Sequence, residues 1–94
     1  MEQKKINIKL DKEQAEGTYS NAVIVSHSTS EFIMDFARIM PGTSEAKVYS
    51  RIVMTPQNTK MLLKTLQDNI KKFEEQFGEI KISKDTGQNI GFTP

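Results

Sequence analysis

Thr55-Pro56-Gln57-Asn58-Thr59-Lys60-Met61-Leu62-Leu63-Lys64-Thr65-Leu66-Gln67-Asp68-Asn69-Ile70-Lys71-Lys72-Phe73-Glu74-Glu75-Gln76-Phe77-Gly78 is the stretch that decides the fold. Thr55 is a good N-cap, its hydroxyl able to accept from a free amide of the first turn. Pro56 follows at the first helical position, where a missing N–H costs nothing. Leu63, Leu66, Ile70, Phe73 and Phe77 recur at spacings of three and four, which places them in one helical stripe. Met61 and Leu62 widen that stripe, and Lys60, Lys64, Gln67, Asp68, Lys71 and Glu75 take the other positions. Gly78 stands where a helix end favours a positive φ. The pattern predicts one long amphipathic helix from Pro56 to about Phe77.

Upstream of the helix the period changes from 3.6 to 2. Ile6, Ile8 and Leu10 alternate with Lys5, Asn7 and Lys9, the pattern of a half-buried strand. A polar loop over 11–17 ends at Gly17. Residues 18–26 contain Tyr19 and the run Ala22-Val23-Ile24-Val25, whose side chains favour strands. Residues 31–40 are open to two readings. Ser28 with Glu31 has the spacing of a capping box, whereas Phe32, Met34 and Phe36 share one face of a strand. The strand is favoured because Pro41-Gly42 supplies a natural terminating turn. Residues 47–54 alternate again, with Val48, Ser50, Ile52 and Met54 on one side and Tyr49, Arg51 and Val53 on the other.

Four strands with short connections imply an antiparallel meander, since parallel strands need long crossovers. The expected fold class is α+β: a four-stranded antiparallel meander followed by the helix, forming a two-layer sandwich. Residues 1–78 make the single domain, and 79–94 form an extended or flexible tail. Tyr19, Ile33, Ile39, Val53 and Val23 or Val25 then look toward the sheet's second face. That is more apolar surface than monomers leave exposed, so a homodimer is expected.

Composition removes several function classes. No cysteine is present, which excludes a disulfide framework, a thiolate zinc site and a cysteine nucleophile. No apolar run approaches the length of a membrane span or forms a leader's h-region, so a cytoplasmic protein is expected. Thirteen Lys and Arg balance twelve Asp and Glu, which gives no global pull toward nucleic acid. Only Arg38 and Arg51 are arginines, few for a dedicated reader of bases or phosphates.

Individual residues point the same way. His27 is the one histidine and could act as a base oriented by Asp35 or Glu31, but its serine neighbours make it a turn residue first. Asp35 and Arg38 mark a charged site, or Asp35 pairs with Arg51 across adjacent strands and fixes register. Thr55-Pro56 could hold an anion at the helix start, yet Thr55 capping its own helix explains both residues. Lys60, Lys64 and Lys71 lie along one helical flank and are candidates for a basic patch, although scattered surface lysines would look the same. No Asp, Glu or His cluster has metal-ligand spacing, and no cofactor or enzymatic activity is expected.

Tyr19-Ser20-Asn21, Ser26-His27-Ser28, Glu31-Phe32, Asp35-Phe36, Arg38, Pro41-Gly42, Lys47-Val48, Ser50-Arg51-Ile52 and Thr55-Pro56, read in order over residues 5–78, resemble the bacterial family called domain of unknown function 3467, common in Bacteroidota. The resemblance carries no activity with it. It implies genes adjoining that of the largest RNA polymerase subunit, and so a protein partner in the transcription machinery, with His27, Asp35, Arg38 and Arg51 as candidate contact residues. The expected function is therefore a non-enzymatic, homodimeric macromolecular-interaction module associated with RNA polymerase. The alternatives are a nucleic-acid-binding protein using the helix lysines and a binder of unfolded chains like the export chaperone SecB.

Overall fold

The computed structural model of the protein describes residues 5–82. Its elements are α1 (Lys12–Glu16), β1 (Ala22–His27), β2 (Phe32–Ile39), β3 (Ala46–Met54) and α2 (Pro56–Phe77). The strands form an antiparallel sheet in the order β1-β2-β3, so the meander has three strands among the described residues. Ser28 decides the ambiguous segment. Its hydroxyl accepts from the amides of Ser30 and Glu31 at 3.1 and 3.2 Å, while its own amide donates to the Glu31 carbonyl. The side chain thus closes the β1–β2 turn, where the sequence alone also allowed a helix cap.

The expected fourth strand over 5–10 does not form. Ile6, Ile8 and Leu10 are 82, 92 and 69 % exposed, and no strand pairing reaches them. Alternation makes a segment fit for a sheet but does not choose the edge it pairs with. The predicted polar loop instead holds the short helix α1, whose C-cap Gly17 has φ 79°. β1 begins at Ala22, later than expected, because Ser20 and Asn21 are engaged with the end of β2. The Ser20 hydroxyl donates to the Ala37 carbonyl at 2.8 Å. The Asn21 side-chain amide donates to the Ile39 carbonyl at 3.1 Å, and its oxygen accepts from the Ile39 amide at 2.8 Å. Asn21 thereby supplies one rung of sheet with its side chain.

A register shift between Phe36 and Ala37 corrects the expected faces of β3. Ser50, Ile52 and Met54 sit opposite Phe36, Met34 and Phe32, as the alternation predicted, but Val48 pairs with Ala37. Because directly opposite residues share a face, the bulge moves Val48 to the other side of the sheet. Val23 and Val25 pair with Phe36 and Met34, so they too lie on the face toward α2.

Helix α2 has the predicted bounds. The Thr55 hydroxyl accepts from the Asn58 amide at 3.1 Å, and the Gly78 amide donates to the Glu74 carbonyl at 2.8 Å with Gly78 at φ 99°. The second layer is nevertheless open, for none of its 22 residues is buried. Met34, Ala22 and Ala37 are the buried apolar residues among those described, and two of these are alanines. Of the tail expected over 79–94, residues 79–82 carry no regular element and the remainder lies outside the described residues. No helix among the described residues is long and apolar enough to cross a membrane.

Candidate functional site

The first turns of α2 stand over the sheet without closing onto it. Between them runs an apolar groove of about 570 Å³, walled by Val25, Phe32 and Met34 from the sheet and by Leu62, Leu63 and Leu66 from the helix. A water's share of liquid is about 30 Å³, so this is room for several side chains. Beyond Leu66 the stripe continues through Ile70, Phe73 and Phe77. The five stripe residues are 45–66 % exposed, and Phe73 and Phe77 touch each other at 5.0 Å between ring centroids. The groove's sheet wall was half legible in the shared face of Phe32, Met34 and Phe36. Its openness depends on the helix–sheet angle, which no local pattern encodes.

The opposite sheet face carries a charged pair. Arg51 Nε and Nη2 donate to Asp35 Oδ1 and Oδ2 at 2.7 and 2.9 Å, and the two residues are direct register partners. The bidentate hydrogen bonds from Arg51, helped by its charge and opposed by burial, hold the Asp35 carboxyl below the ordinary carboxylate range. The same bonds raise Arg51. Because Asp35 is more acidic folded than unfolded, the stabilisation is complete above the ordinary Asp range, near pH ~4, and disappears as pH falls through the depressed value. In urea titrations, wild type should therefore exceed Asp35→Asn by a constant margin at neutral pH, shrinking below about pH 4. A margin that persists to the acid limit would show that the pair is not its source.

Arg38 belongs to a different cluster. Its guanidinium lies 4.4 Å from the Tyr49 ring centroid and 5.8 Å from that of Tyr19, with Lys47 Nζ 5.1 Å from Tyr49. These are cation–π distances. The β3 bulge makes the cluster possible, since Tyr49 is the residue that the register skips. Nothing in the local pattern of the sequence signalled that the two tyrosines converge on Arg38.

His27 stacks on Phe32 at 5.3 Å. It is the register partner of Phe32, six residues along β2 from Arg38, a separation of about 20 Å at the rise of a strand. Asp35 points to the other face. The sheet therefore keeps His27, Arg38 and the Asp35–Arg51 pair at three separate places. Lys60, Lys64 and Lys71 are exposed along α2, and Lys60 also borders the groove. Among the described residues no three His, Asp or Glu side chains are gathered as for a metal ion.

The family model described as protein of unknown function (DUF3467) matches residues 1–82. The chain belongs to this family. The DUF3467 match extends past Gly78, so the family region takes in both the unpaired 5–10 segment and the turn after α2, where the Ile80 amide donates to Glu74 Oε2 at 3.0 Å. Several motifs that carried the resemblance now have structural roles: Ser20 and Asn21 secure β2, Ser28 closes a turn, Asp35 and Arg51 pair, and Thr55 caps α2. No curated protein and no solved structure matches the chain.

Proposed function

We propose that the protein is a non-enzymatic, cytoplasmic interaction module that works as a homodimer on a larger protein assembly, RNA polymerase first among those to test. The observation that carries this reading is the apolar stripe of α2, exposed along its length beside an apolar groove. A contiguous apolar surface of this kind marks a site for another chain. In the associated state, residues 5–10 complete the expected fourth strand. Their alternation suits a sheet, and the outer edges of β1 and β3 are unpaired among the described residues. Alternate backbone amides over 5–10 should then gain hydrogen-exchange protection on association, and unchanged exchange would remove the strand.

The test of the module is an inventory of proteins that co-purify with the tagged chain, with and without nuclease. RNA polymerase subunits retained after nuclease support the reading, and absence of any reproducible protein partner overturns it. Partners lost with nuclease would favour a second reading, nucleic-acid binding, which the Tyr19–Arg38–Tyr49–Lys47 cluster supports by placing aromatic faces beside cations. Direct binding that is absent even at low salt would end that second reading, since phosphate contacts are strongest there.

A further inference from the structure

The two halves of α2 have opposite deficits. Among the described residues, Leu63 and Leu66 face an unfilled groove, while Ile70, Phe73 and Phe77 form an uncovered ridge. A two-fold axis across the helix pairs one half with the other, because an isologous contact brings each patch to its complement on the second copy.

The spacing of the stripe sets the register. Leu63, Leu66, Ile70, Phe73 and Phe77 occupy alternating a and d positions of a heptad. In an antiparallel pair centred near Asp68, Leu63 meets Phe73 of the second copy, Leu66 meets Ile70, and Thr59 meets Phe77. One flank of that pair holds Lys60, Gln67 and Glu74 at successive e positions. The same centre sets Lys60 against Glu74 of the second copy twice over, with Gln67 against its own counterpart between them. The other flank sets Asn69 against itself and Leu62 against Gln76, with no like charges opposed. A parallel pairing lacks this match, since it places Phe73 beside Phe73 and leaves both grooves vacant.

We propose that two copies associate through antiparallel α2 helices, the Phe73–Phe77 half of each seated in the groove between helix and sheet of the other, with Lys60 and Glu74 joined across the seam. This rests on the self-association proposed above and specifies its interface. Val25, Phe32 and Met34 then contact the second copy's phenylalanines, and the apolar layer missing over the sheet comes from the second chain.

The full chain and two charge-reversed variants, Lys60→Glu and Glu74→Lys, test it by sedimentation equilibrium. Each variant alone opposes like charges at both seams, so its dimer should weaken by about tenfold relative to wild type. Glu74→Lys also loses its contact with the Ile80 amide, so the decisive arm is the equimolar mixture. There both seams are again oppositely charged, and a heterodimer should form about tenfold more tightly than either variant with itself. Phe73→Asp with Phe77→Asp should be monomeric while keeping its helical circular dichroism, because both side chains are exposed in one copy. A wild-type chain that stays monomeric at millimolar concentration overturns both the self-association and this interface. A wild-type dimer unmoved by the charge variants, with no preference in the mixture, overturns this interface alone.

Discussion

Met34→Ala is expected to destabilise the protein by about 2–3 kcal/mol, the lower part of the range for deleting a buried Met side chain. Met34 is 7 % exposed, the one large apolar side chain that is buried among the described residues. It lies on the central strand, opposite Val25 on one side and Ile52 on the other, so its loss separates both neighbours at once. The lower part of the range applies because one flank of Met34 borders the open groove, where neighbours can relax into the vacated space. A domain this small has only about 5–15 kcal/mol in total, so the urea midpoint should fall substantially with the slope unchanged. Met34→Leu, which roughly conserves volume, should lose less than about 1.5 kcal/mol. Equal losses for Ala and Leu would mean that Met34 acts through something other than filling the core.

Ala37→Leu acts by the opposite mechanism. Ala37 is fully enclosed and faces Ala22, which is 1 % exposed. Its carbonyl accepts from both the Ser20 hydroxyl and the Asn21 amide. Added methylenes there must push apart β1, β2 and the segment secured to them. Overpacking of this kind costs about 1–3 kcal/mol, and at about 4–8 °C per kcal/mol the melting temperature should fall by roughly 10 °C. Val48→Leu is the control, since Val48 is the register partner of Ala37 on the other side and is 45 % exposed. A surface change there should stay within about 0.5 kcal/mol. If both variants melt alike, the enclosure of Ala37 is not what limits its size.

What could be read from the chain follows the range over which each signal acts. The bounds of α2 were legible because Thr55, Pro56 and Gly78 act on their own backbone within a turn. β2 was legible once Pro41-Gly42 was weighed, and the Asp35–Arg51 pair followed from register alone. Whether the 5–10 segment pairs in a single chain was not legible, because its alternation is local whereas a partner edge is not. The face of Val48 was misread because one bulge residue inverts the phase of everything beyond it. The same bulge gathers Tyr49 to Arg38, so that cluster was hidden for the same reason. The apolar surplus behind the expected homodimer was read on the sheet's second face, where Tyr19 and Val53 are exposed. The second surplus, along α2, was not legible, because sheet packing and helix pairing require the same stripe.

The junction at Thr55-Pro56 gives α2 the mechanics of a cantilever. A helix of 22 residues rises about 33 Å, and it is anchored to the sheet at one end with open space beneath it. A swing of about 10° at the anchor carries the tip at Phe77 through roughly 6 Å of arc, at that length. Any tilt at the Thr55 cap is therefore magnified along the arm, so the width of the cleft is geometrically sensitive to a point remote from the residues at its far end.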